Sequence, residues 1–271
     1  MFDDDDKPYD NLPIIKEVRK YHRNANSKKS EPSLSTSKEG QTKWISWEEY
    51  LQVITKLQME LQSLLQQKQE KITLNCTNVD VLDRKIAIAY QYFLVTSVFS
   101  NVPDRQRTIR ELELGTTLQK YNDCFIVQHS AQDYKTGKVY GSRPPIPLSQ
   151  KLSTFLQDFI DNYRPILKPQ TNKLFVQPRT GRPLTQDSVY QIVSRICYKH
   201  TGKRTNPHLL RDIIVTHMKR KADVSEKELE ALALLMGHSV NMQRSSYDRR
   251  TISEKIAPAV ELLKSVNGQL E

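Results

Sequence analysis

The chain has 271 residues, a formal charge of +10 and 37% apolar residues, enough for the core of one large domain or two modest ones. No apolar run reaches membrane-spanning length, so the polyanion favoured by this charge is nucleic acid rather than lipid. Three scattered cysteines, Cys76, Cys124 and Cys197, lack metal-ligand spacing and cannot all pair, which argues for a reducing compartment and against a disulfide framework or structural zinc.

Met1 to Lys7 holds four consecutive aspartates and no apolar core, so it reads as a solvated tail or cloning remnant, not a secretory signal. Residues 16–43, rich in Lys, Arg, Ser, Asn and Glu, predict a linker or basic arm, because they offer too little apolar surface to offset ordering. The folded domain is expected from residue 44 onward. Ser46-Trp-Glu-Glu49 is a capping box, opening a helix with Tyr50, Leu51, Ile54, Leu57 and Leu61 at helical spacing. A second helix, about 81–99, is apolar around most of its circumference and is expected to run through the core; Pro103 ends that stretch. Ile109, Leu112 and Leu114 form a short helical pattern, and Cys124 to Val127 a strand. A hairpin turning at Lys135-Thr-Gly-Lys138 is expected next, with Pro144 to Leu148 leaving as an edge segment, since proline cannot donate to a central ladder.

Helical patterns then return. Leu152, Phe155, Leu156, Phe159 and Ile160 fit one helix, and Thr185 opens another with Val189, Ile192, Val193 and Ile196 on one face; a short strand, Leu174 to Val176, is expected between them. Pro207 starts a helix to about Lys221. At about 100° per residue its Leu209, Leu210, Ile213 and Ile214 share one arc, which turns His208, Arg211 and Asp212 to the opposite side, away from the core. Ser225-Glu-Lys-Glu228 is a second capping box, and Gly237 is the expected C-cap, with His238 just beyond. A last helix, about 252–265, carries Ile256, Ala259, Val260 and Leu263 as an apolar stripe, suited either to closing its own core or to docking on a neighbouring protomer. The fold class is therefore α+β, mainly helical with a small antiparallel sheet.

Taken singly, His208 reads as a polar residue near a helix start, Arg211 as a surface cation and Tyr247 as a packing residue. Together, His208-x-x-Arg211, Gly237-His238 and Tyr247 suit phosphodiester chemistry: arginine forks match phosphate oxygens, histidine moves protons near neutrality, and a tyrosine hydroxyl beside such cations can attack phosphorus.

That order and spacing resembles the C-terminal signature of the tyrosine recombinases, the phage-integrase family. The resemblance calls for an earlier arginine and a β-turn lysine. Arg105, four and seven residues before Ile109 and Leu112, is similar to the first family arginine, with Arg107 and Arg110 as rivals; Lys135 matches the lysine, with Lys138 as rival. Lys173-Leu-Phe-Val176, Thr180-Gly-Arg-Pro-Leu184 and the run from Thr201 to Arg211 are likewise similar to integrase sequences, and Arg105 to Gly115 is similar to the excisive recombinases of cyanobacterial genomic elements. Two features depart from the family. Asp212 stands where many members carry a second histidine, with His217 further along, and residues 1–43 are too short and polar for the core-binding domain that precedes the catalytic domain, so the chain looks like a catalytic half.

The resemblance implies a cytoplasmic, nucleoid-associated site-specific recombinase that acts on double-stranded DNA, self-associates as a tetramer, and needs no cofactor or metal. It implies Tyr247 as nucleophile forming a 3′-phosphotyrosyl bond, Arg105 and Arg211 clamping the phosphate, Lys135 protonating the leaving oxygen, His208 assisting proton transfer, and His238 bonding a non-bridging oxygen. The basic arm at Arg19, Lys20, Arg23, Lys28 and Lys29 would grip the DNA backbone. The alternatives are a catalytically idle DNA-binding protein and a type IB topoisomerase-like enzyme.

Overall fold

The computed structural model describes residues 12–27, 42–74, 80–134, 136–221 and 223–267. Helix α1 (Pro13–Ser27) overlaps the stretch read as linker or arm; its Leu12 flank, Ile14, Val18 and Tyr21 are exposed, so these side chains add nothing to the core. Arg23's side chain, Lys28 and Lys29 lie outside what is described.

Helix α2 (Trp47–Thr73) starts where the capping box predicts: Ser46 Oγ accepts from Glu49 N, and the Glu49 carboxylate accepts from Ser46 N at 2.7 Å. It buries Tyr50, Val53, Leu57, Leu61 and Leu64 against α3 (Asp80–Asn101), where Tyr50 donates to Thr96 O at 2.8 Å. Helix α3 is central, as its all-round apolar pattern requires. Its Tyr90 stacks on Tyr163 at 5.0 Å and donates to Asp158, tying α6 (Gln150–Asp158) and the π turn Phe159–Tyr163 to the middle of the core.

The short helix α4 (Gln106–Arg110) leads to a three-stranded antiparallel sheet of β1 (Leu118–Tyr121), β2 (Cys124–Val127) and β3 (Ile146–Pro147), in that order. The tight hairpin joins β1 to β2 through Asn122-Asp123, with Asn122 in the left-handed region at φ 52°. The predicted hairpin at 135–138 is corrected. Gly137 opens a helical turn, α5 (Gly137–Tyr140), within a long excursion between β2 and β3, and the proline-rich β3 pairs over only two residues, at the sheet edge.

Leu174 to Val176 is not a strand, a second correction. Gln91, buried in α3, satisfies Val176 through both halves of its amide at 2.9 Å, and Arg164 takes the carbonyls of Thr171, Lys173 and Leu174. Only single bridges, Glu113 with Lys173 and Val176 with Pro183, remain for strand pairing. Helices α7 (Gln186–Thr201, capped by Thr185), α8 (Pro207–Arg220, capped by Asn206) and α9 (Glu226–Leu235, with the second capping box) follow, then a short turn α10 (Val240–Met242), the π turn Gln243–Tyr247 and α11 (Ile252–Asn267). One apolar core runs from Ile45 to Tyr247. The fold is α+β, mainly helical with a small antiparallel sheet, and among the described residues no helix is long and apolar enough to cross a membrane.

Candidate active site

Four segments converge on α8. Val102 and Pro103 are buried and end α3, which brings Asp104 inside and leaves Arg105 as the N-cap residue of α4. Asp104 is 1% exposed, and its carboxylate gathers three donors: Arg105 N at 2.6 Å, Arg211 Nη1 at 3.1 Å, and Arg143 Nη1. A buried carboxylate between two buried guanidinium groups fixes both by charge-assisted bonds.

Arg211 is the largest fully buried side chain, which corrects the expectation that it faces away from the core. Periodicity assigns a helix face but not its cover: the π turn ending at Tyr247 packs over this one, and its polar groups pair with residues of other segments. Arg211 Nη2 donates to Met236 O at 3.0 Å, lies 3.1 Å from His238 Nδ1, and is 3.3 Å from Tyr247 Oη. Because arginine only donates, His238 Nδ1 accepts, which puts the proton of the neutral ring on Nε2. Burial, reinforced by Arg211 and Arg105, lowers the His238 pKa to about 4, so the ring is neutral near pH 7.

Tyr247 is buried at the end of the π turn. Its ring stacks on His238 at 4.5 Å and meets His208 edge to face at 6.3 Å. His208, one turn before Arg211, stays at the exposed mouth; desolvation against the site wall and the charges of Arg211, Arg249 and Arg105 lower its pKa. Arg105, whose backbone N–H bonds to the Asp104 carboxylate, is close enough for its charge to act on His208, Arg211 and His238, whereas Arg107 and Arg110 pair with Glu111. Lys135 lies outside the described residues. Its neighbour Thr136 donates to Gly237 O at 2.8 Å, and the rival Lys138 is exposed on α5. His217 lies elsewhere, 3.0 Å from Glu48.

The structure thus brings together Arg105, His208, Arg211, His238 and Tyr247 of the six predicted residues. Asp104 and Arg143 also belong to the cluster, though the sequence shows them only as charges beside prolines, and burial is what marks them. Among the described residues, Arg105 Nη1, Arg143 Nε and Nη2, Arg211 Nε and His238 Nε2 are buried without a hydrogen-bond partner. Unpaired buried donors are costly, and this many in one cluster suits an anion. No group of three or more His, Cys, Asp or Glu side chains among the described residues could hold a metal ion.

Solved structures of recombinases are among those this chain is similar to. XerH bound to its difH substrate in a pre-cleavage complex is 19% identical with a TM-score of 0.48, over 75% of this chain and 49% of that one. XerH in a post-cleavage complex with palindromic difH is 17% identical, TM-score 0.49, over 87% and 56%, and XerA recombinase is 14% identical, TM-score 0.47, over 68% and 61%. This chain therefore spans about half to three fifths of those chains. No protein-family model matches the chain, and no curated protein matches its sequence. At this distance the likeness concerns the fold, and a functional reading rests on the residues.

Proposed function

We propose that residues 44–271 are the catalytic domain of a tyrosine-type site-specific DNA recombinase. The observation that carries this reading is the contact of Tyr247 Oη with Arg211 Nη2 at 3.3 Å, beside His238 and within a cluster of buried N–H donors that lack acceptors.

In this reading a DNA phosphate supplies those acceptors. Tyr247 Oη attacks phosphorus, a 3′-phosphotyrosyl bond forms, and the bond to the 5′ oxygen breaks. Neutral His208 takes the phenol proton, and Lys135 protonates the departing 5′ oxygen. Arg105 and Arg211 hold the non-bridging oxygens, and His238 donates to one from Nε2; each preorganised donor contributes about 3 kcal/mol to the transition state. Attack by a partner strand's 5′-hydroxyl reverses the step and rejoins the backbone without nucleotide or metal. The +10 charge supports duplex DNA as the partner. The exposed apolar stripe of α11, with Ile256, Val260 and Leu263, supports self-association on DNA into a tetramer.

The test is incubation with a library of randomised duplexes nicked near their centres, so that cleavage releases a short fragment and traps the covalent adduct. An adduct that survives denaturation and is lost in Tyr247→Phe is the expected result. Reversible, salt-sensitive binding without adduct would instead indicate an idle DNA-binding protein, and relaxation of arbitrary supercoiled plasmid a topoisomerase.

A further inference from the structure

Helix α8 presents His208, Asp212, Thr216 and Lys219 as one row at i, i+4, i+8 and i+11. The chain leaving Tyr247 runs along that row and is tied to it at three heights. Arg249 Nε and Nη2 each stand 3.0 Å from Asp212 Oδ2. Thr216 Oγ1 donates to Tyr247 O at 3.2 Å and accepts from Arg249 N at 3.0 Å, which pins the backbone on both sides of Asp248. Lys219 Nζ reaches Asp248 Oδ2 at 3.4 Å, while Arg250 grips the same carboxylate and donates to Lys219 O at 2.9 Å.

The Asp212 tie is nearest the chemistry. Asp212 adjoins Arg211 in the chain and follows His208 by one turn, and it is 1% exposed. Its Oδ1 is buried without a partner among the described residues. A carboxylate so placed is one the fold bears at a cost, since a neutral side chain of the same shape would avoid the desolvation. What the charge supplies is a fixed anchor for Arg249, two residues beyond the tyrosine.

We propose that Asp212 is a positioning residue for the nucleophile: by holding Arg249 it sets the backbone that carries Tyr247, and with it the approach of Tyr247 Oη to Arg211. The proposal rests on the recombinase reading and goes beyond it, since Asp212 would touch neither phosphate nor leaving group. Displacement of a reacting group by about 1 Å can slow a reaction about 100-fold, so loss of one of three ties is expected to slow adduct formation about 10-fold or more.

The experiment measures single-turnover adduct formation at saturating nicked DNA for wild type, Asp212→Asn and Arg249→Gln, with DNA affinity and melting temperature recorded in parallel. Asp212→Asn is isosteric and removes a buried charge, so it is expected to fold. A second arm uses Tyr247→Phe with added hydrogen peroxide as a diffusible nucleophile. Its hydroperoxide anion forms the new bond to phosphorus and expels the 5′ oxygen, which takes up a proton. Slower adduct formation in both variants, with Asp212→Asn leaving affinity unchanged and melting temperature no lower than that of wild type, and peroxide cleavage in Tyr247→Phe/Asp212→Asn as fast as in Tyr247→Phe, is the expected outcome. Wild-type adduct rates in Asp212→Asn would overturn the proposal, as would an equal loss of the peroxide reaction, which would assign Asp212 to the phosphate clamp. Absence of adduct from wild type itself would overturn the recombinase reading, a result distinct from the other two.

Discussion

His238 and Asp212 titrate in opposite senses, with consequences for stability. The folded pKa of His238, about 4, lies below the ordinary 6.5, so protonation favours the unfolded chain and stability falls as pH drops through that window, by up to about 3 kcal/mol. Burial pushes Asp212 up from 3.8 to about 6 despite Arg249 and Arg211; its contribution is full below pH 3.8 and is lost as pH rises through 6, again by up to about 3 kcal/mol. Asp212→Asn is therefore expected to match wild type near pH 4 and to exceed its stability at pH 7 by about 2–3 kcal/mol in urea unfolding; equal differences at both pH values would refute the burial argument. Histidine NMR provides a separate check, with the His238 ring expected to titrate near pH 4.

Among the elements, the turn after α9 is constrained by the site itself. Gly237 sits at φ 64°, and a Cβ there would lie 2.3 Å from Arg143 Nη2 and 3.2 Å from Thr136 Oγ1. Gly237→Ala is expected to cost about 2 kcal/mol, measured by thermal melting, and to slow adduct formation because Arg143 can yield only by loosening its pairing with Asp104. The capping box of α2 offers a control far from the site: Ser46→Ala should cost about 1 kcal/mol and leave cleavage unchanged. Such local signals were legible in the sequence because capping, C-cap glycine and apolar periodicity act within a few residues. The β1–β2 hairpin was missed, since Leu118 to Tyr121 buries only its first residue fully and shows no alternation. The strand expected at 174–176 failed because Gln91, 85 residues away from Val176, and Arg164, ten residues before Leu174, occupy its backbone groups.

At the scale of the whole molecule, α11 leaves Ile252, Ile256, Val260, Leu262 and Leu263 exposed, so of the two uses open to its stripe, closing its own core is not the one observed. Ile256→Asp with Val260→Asp should change the stability of the isolated chain by no more than about 0.5 kcal/mol, yet abolish higher assemblies on DNA in native gels. If the isolated chain unfolds instead, the stripe belongs to its own core. The sequence by itself determined the longer helices from α2 onward and their caps, because these follow from local periodicity and residue chemistry, while the family resemblance singled out Arg105 beside His208, Arg211, His238 and Tyr247. Only the tertiary structure decided that Arg211 is buried, that Asp104 joins it to Arg143, and that Asp212 holds the segment after Tyr247. Each of those pairs joins residues 37 or more positions apart, and which distant charges share a low-dielectric interior is set by how the helices pack, a property no local pattern encodes.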